Sequence, residues 1–268
     1  MKPFLRHILD GVGNQVLGRC MMREYLQARL LQILQDRAAF NTWVFQGGTA
    51  LRFLYSMPRF SEDLDFALVE PGVKDNFREN LVDAEKAFKA ENYDANMRID
   101  DAKTVKAAFV RFRGLLFEFG LSPHESETLS IKVEVDTNPP LGAKVVSTVV
   151  RRHIALNLRH HDKASLLAGK LHAVLTRRYT KGRDIYDLIW YLSDRTWPEP
   201  NIELLNNSLK QTGWDGPEAT TANWRDLVCQ RVETLQWKQV VRDVEPFLER
   251  AEDVALLTRE NLLALLQR

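Results

Sequence analysis

Between Leu129 and Asp136 the sequence LSIKVEVD alternates strictly, with Ile131, Val133 and Val135 on one side of an extended chain and Lys132, Glu134 and Asp136 on the other. A segment of this kind is stable as a strand that lays one face on an apolar core and turns a polar face outward. SEDLDFALV (61–69) repeats the pattern, with Leu64, Phe66 and Leu68 inside and Asp63 and Asp65 sharing the outer face. TWVFQ (42–46), VKAAFVRFR (105–113) and LLFEFGL (115–121) are further β-type runs, and VVSTVV (145–150) is a short last one. Gly47-Gly48, Gly114 and the turn-rich SPHESE punctuate them.

Helical periodicity surrounds and then replaces the strands. Residues 16–40 carry Leu17, Met21, Leu26, Leu30, Ile33 and Leu34 at helical spacing, and 74–90 reads as a polar helix. Thr49 is placed to cap a helix bearing Leu51, Phe53 and Leu54. Beyond about residue 150 the segments 162–178, 182–194, 202–211 and most of 224–268 read as helices. The expectation is an α+β fold: a mixed β-sheet with flanking helices over 1–150, then a helical bundle over 151–268 packed against it. No Gly/Ser-rich linker divides the two parts.

Charge narrows the function classes. The chain has 37 Lys+Arg against 36 Asp+Glu, so it has no global drive toward nucleic acid or membrane. Locally, nine Lys/Arg between Arg151 and Arg183 face one acid, Asp162, and four of the six histidines lie in the same stretch. Such a stretch suits a phosphate-bearing partner, and it equally suits a solvated helix surface balanced by the acidic segment 243–260. Cys20 and Cys229 have no metal-ligand spacing, and the opening MKPFLRHILDGVGNQ lacks an apolar leader segment. No run reaches the ~18 apolar residues of a membrane span. The expected setting is cytoplasmic, with no membrane partner.

Four groups of residues carry chemistry. Gly47-Gly48-Thr49, between a strand and a helix, lets backbone amides approach a phosphate; alone, a GG pair is also an ordinary tight turn. Asp63 and Asp65 offer two hard oxygen ligands on one strand face, a set that suits Mg²⁺; a solvent-facing edge strand can carry the same residues. Glu134 or Asp136 supplies a further carboxylate from another strand, or simply faces water beside Lys132. Lys170 lies beside a helical stripe of Leu167, Leu171, Val174 and Leu175, and Asp184 and Asp187 follow in KGRDIYDL. Asp184 there reads as a helix-start carboxylate as readily as a functional one.

The order of these groups is more specific than any one of them. GGTALR…RFSEDLDF, IKVEVD and LLAGKLHAVLTRRYTKGRDIYDLIWYL, together about residues 40–195, resemble the AbiEii/AbiGii toxin family within the DNA-polymerase-β-like nucleotidyltransferase superfamily. The resemblance implies a nucleotidyltransferase fold followed by a C-terminal helical bundle. It implies Asp63, Asp65 and Glu134 as ligands of a two-metal Mg²⁺ site, with Asp136 as the alternative third carboxylate. It makes Lys170 and Asp184 the further catalytic residues, with Asp187 as substitute for the latter, and Gly47, Gly48, Thr49 and Lys170 the contacts of a bound NTP. It further implies a toxin–antitoxin or abortive-infection role: nucleotide transfer to RNA, the tRNA 3′ end first among acceptors. The cognate antitoxin would be encoded nearby without forming a stable complex. Transfer to a small molecule or a protein, and a non-catalytic nucleotide-binding module, are the alternatives.

Overall fold

The computed structural model describes residues 2–179 and 181–268. Residue contacts divide the chain into two compact units. The first runs through Ser56 and adds Phe60–Pro139 and Ser147–His160; the second comprises Met57–Arg59, Pro140–Val146 and His161–Arg268.

The first unit is built on the sheet. Its strands are β1 (Trp43–Gln46), β2 (Leu64–Leu68), β3 (Ala95–Asp100), β4 (Val105–Arg113), β5 (Thr128–Asp136), β6 (Val145–Arg151) and β7 (Ala155–His161), in the order β3-β4-β5-β2-β1-β7-β6. The sheet is mixed: β2 runs parallel to β5 and β1 to β7, while β1–β2, β3–β4 and β4–β5 are antiparallel. Helices α1 (Lys2–Leu9), α2 (Gln15–Asp36), α3 (Gly47–Tyr55), α4 (Phe77–Ala90) and α5 (Leu115–Glu118) complete it.

One face of the sheet is the core. Phe45 and Phe66 are register partners with ring centroids 5.2 Å apart, and Trp43 lies 5.3 Å from Phe66. Helix α3 supplies Phe53 and α4 supplies Phe77 and Phe88 to the same face, Phe88 meeting Phe112 edge-on at 4.9 Å. The opposite face carries the alternating polar residues, among them Asp65, Lys132, Glu134 and Asp136, all half-buried.

A buried ion cluster ties α3 to α2. Glu24 of α2 is engaged by Arg52 of α3, and lies 3.0 Å from both Arg152 and His153. His153, in the turn between β6 and β7, has φ 132°, a backbone that side-chain-bearing residues rarely adopt, and its ring bond to Glu24 helps hold it there.

The second unit is helical: α6 (Lys163–Thr176), α7 (Gly182–Ser193), α8 (Ile202–Gln211), α9 (Trp224–Glu233), α10 (Trp237–Val244) and α11 (Arg259–Leu266). Asp162 caps α6 by accepting from the Ser165 amide at 2.8 Å. Leu167, Leu171 and Val174 of α6 and Ile185 and Leu188 of α7 are almost fully buried. Gly182 is required at the start of α7, because a Cβ there would lie 2.0 Å from the Val240 carbonyl oxygen of α10. Among the described residues no helix is long and apolar enough to cross a membrane.

Four local expectations are corrected. LLFEFGL is not a strand: Gly114 (φ 62°) turns the chain out of β4, and Leu115 and Leu116 are buried side by side as the short helix α5. Strand β2 starts at Leu64, not at residue 61, because Asp63 gives its carbonyl to the Thr49 hydroxyl. Helix α3 starts at Gly47, so Thr49 lies inside its first turn and does not cap it. The run 155–161 is a strand, with Leu156, Leu158 and His160 buried alternately.

Candidate active site

In the first unit the sheet register brings one pair of expected site residues together. Asp65 of β2 is the direct partner of Glu134 of β5, and Leu64 is the partner of Val133. Neighbouring strands lie about 4.8 Å apart, so the two carboxylates leave one face side by side. Asp136 is the partner of Ala67 instead, and its carboxylate accepts from the Asn138 amide at 2.9 Å, closing the turn after β5. Burial raises the Asp136 pKa above the ordinary aspartate value, against the lowering effect of that amide. Lys132, two residues before Glu134, holds Glu134 at 2.8 Å on this face.

The Gly-Gly turn meets the Asp65 carboxylate. Gly47 has φ 78°, and a Cβ on it would lie 2.4 Å from an oxygen of the Asp65 carboxylate. Glycine is therefore needed here twice over, for backbone conformation and for closeness to Asp65. Gly48 and Thr49 are buried, and the Thr49 hydroxyl is spent on the Asp63 carbonyl. What this turn offers a phosphate is its backbone amides at the start of α3. Asp63 is half-buried immediately before β2.

The donors fit Mg²⁺ in kind. Among the described residues no group of three or more His, Cys, Asp or Glu is gathered to hold a metal ion. Mg²⁺ commonly takes only one or two protein carboxylates and completes its shell with water and substrate phosphate. Asp65 and Glu134, hard oxygen donors beside a side-chain-free Gly47, meet that requirement.

In the second unit Lys170 sits between two carboxylates, 2.6 Å from Asp187 and 3.1 Å from Asp184. Asp187 is wholly buried and also accepts a two-pronged pair from Arg59 at 2.6 and 2.7 Å. Asp184 is further engaged by Arg177. Burial by itself would push the Lys170 ammonium pKa down, but the Asp187 and Asp184 charges outweigh it and raise the pKa above the ordinary lysine value. Burial likewise pushes Asp187 up, and the opposing Arg59 and Lys170 charges hold it below the ordinary aspartate value. Arg59, Lys170 and Arg177 against Asp184 and Asp187 leave one excess positive charge, which suits an anionic ligand.

Arg59 was not singled out from sequence. It stands at the head of RFSEDLDF, yet its partner Asp187 is 128 residues away, so nothing local marks the pair. The basic stretch is also less available than its composition suggests. Arg152 is committed to Glu24, Arg159 donates to the Asn41 carbonyl at 2.7 Å, and Lys163 lies 4.3 Å over the Trp197 ring. Arg151, Arg178 and Lys181 remain exposed.

Comparison with known proteins adds a family and a fold. The family model for the nucleotidyl transferase AbiEii toxin of type IV toxin–antitoxin systems matches residues 29–260. Among solved structures, JHP933 from Helicobacter pylori superposes with a TM-score of 0.52 at 20% identity, over 92% of this chain and 90% of that one. A structure described as a candidate nucleotidyltransferase from H. pylori gives a TM-score of 0.48 at 20% identity, over 90% and 91%. The likeness to JHP933 shows a shared fold. No curated protein matches the chain.

Proposed function

This chain belongs to the AbiEii family of nucleotidyltransferase toxins of type IV toxin–antitoxin systems, and on that premise we propose that it transfers a nucleotide from an NTP to the 3′ end of an RNA, tRNA first, with Mg²⁺. Nucleotidyl transfer and an antitoxin partner follow from the family; the RNA acceptor, the metal and the residue roles are our reading. The observation that carries it is the Asp65–Glu134 pair, side by side on parallel strands with Gly47 against Asp65.

In this reading Asp65 and Glu134, with Asp63 at the strand start, hold Mg²⁺. Bound there, the metal supplies Lewis-acid polarisation of the α-phosphate and eases deprotonation of the attacking hydroxyl. The first-turn amides of α3, Gly47 and Gly48 foremost, bind phosphate oxygens, and Gly47 keeps side-chain atoms out of the space beside Asp65. Thr49 positions the Asp63 backbone. Lys170 neutralises triphosphate charge as a point cation. Asp184 and Asp187 fix its ammonium in place and keep it protonated; Asp187 is itself locked by Arg59. An NTP and an RNA as substrates place the reaction in the cytoplasm, and the antitoxin acts without a lasting complex.

The test is to incubate purified protein with total RNA and each α-labelled NTP, with Mg²⁺ or with EDTA. Label at RNA 3′ ends that needs Mg²⁺ is the expected result. Label appearing only in protein or in small molecules would refute the RNA acceptor, and undiminished transfer in EDTA would refute the metal.

A further inference from the structure

The sheet face that carries Glu134 continues across β4 and β3, and the register sorts its residues into rows. Glu134 pairs with Ala107; one two-residue step away, Lys132 pairs with Phe109 and Phe109 with Arg98. The next step brings Arg111 of β4, whose guanidinium carbon is 6.0 Å from the Phe109 ring centroid. Each step is about 7 Å along the strands. Phe109 is 37% exposed in the middle of this face, not at a sheet edge. Arg98 is exposed and Arg111 partly so, and neither has a carboxylate within ion-pair distance among the described residues. The face is therefore acidic at the Asp65–Glu134 end and cationic with a bare aromatic ring beyond it.

We propose that the β3–β4–β5 face is the track for the single-stranded 3′ end of the RNA acceptor: a base stacks on Phe109 while Arg98 and Arg111 contact the flanking phosphates. This rests on the RNA-transfer reading above. An exposed ring accepts any base through its π-face, and two guanidiniums without a carboxylate partner, Arg98 across on β3 and Arg111 one step along β4, match a backbone carrying one negative charge per nucleotide. The order of the rows sets the polarity. A strand whose terminal hydroxyl lies at Glu134 would pass its preceding base over Phe109, one step from the carboxylates. Lys132, already held by Glu134, is left out of the phosphate contacts.

The experiment measures transfer kinetics and binding with unfractionated bacterial tRNA as the probe. Phe109→Ala should raise the KM for tRNA roughly five- to a hundred-fold, with the KM for NTP unchanged. Phe109→Trp should keep the wild-type KM for tRNA, which separates stacking from lost packing. Arg98→Ala/Arg111→Ala should lower the slope of log affinity against log salt by about 1.4, or 0.7 per lost contact to a single strand. An unchanged KM for tRNA in Phe109→Ala, or an unchanged salt slope in the double variant, overturns the track while wild-type transfer to tRNA leaves the RNA reading standing. A wild type that modifies no RNA at all overturns both.

Discussion

Replacing Glu24 with glutamine tests the anchor that holds α3, the helix whose first turn lies against Asp65. Burial alone would raise the Glu24 pKa, but the His153 hydrogen bond and the Arg52 and Arg152 charges lower it from 4.5 to about 2. A depressed carboxylate stabilises the fold above its unfolded pKa, and that contribution disappears as pH falls through the folded value. A drop of this size, at 1.36 kcal/mol per unit, contributes about 3 kcal/mol at pH 5, of which about 1.4 kcal/mol remains at pH 3. The stability gap between wild type and Glu24→Gln should therefore narrow by about 2 kcal/mol between those two pH values. Both points lie below the ordinary imidazole range, so histidine titration contributes little to the change. Other carboxylates titrate alike in the two proteins and cancel. The assay is urea unfolding followed by tryptophan fluorescence at each pH. A gap that stays constant, or widens toward pH 3, would refute the claim that ionised Glu24 binds this cluster.

Asp65→Asn and Glu134→Gln should each slow nucleotidyl transfer on the order of a hundred-fold or more while leaving the thermal midpoint unchanged or higher. Asp136→Asn should stay active, and a dead Asp136→Asn beside an active Glu134→Gln would reverse the assignment. Asp187→Asn takes from Arg59 a buried counter-charge and leaves Lys170 to Asp184 alone, and should cost about 3–5 kcal/mol in urea unfolding, more than Asp184→Asn; equal losses would contradict the central place given to Asp187. Gly182→Ala drives a methyl into the Val240 carbonyl and should destabilise by about 1–3 kcal/mol, with a neutral result showing that α7 and α10 can part freely.

Local patterning specified five of the seven strands, most of the helices and which side chains share a face. Alternation at 64–68 and 129–136 put Asp65, Glu134 and Asp136 on polar faces, and helical spacing put Lys170, Asp184 and Asp187 beside apolar stripes. These are local facts, set by a backbone repeat of 2.0 or 3.6 residues, and they can be read wherever a segment is long enough to show its period. LLFEFGL reads as a strand because seven apolar-rich residues fit one as well as a buried turn of helix, and the left-handed Gly114 decides between them.

Partner identity lay beyond any such repeat. That Asp65 meets Glu134 and not Asp136 is a matter of register, and a shift of two residues would preserve every face while exchanging the pair. The lock of Arg59 on Asp187, the use of Thr49 on the Asp63 carbonyl and the commitment of Arg152 to Glu24 each join distant segments. So does the row of Arg98, Phe109 and Lys132 across three strands. Each contact exists because the packed chain has already met the entropy of closing the loop between its partners, a cost shared by the whole core and recorded in no single stretch of sequence.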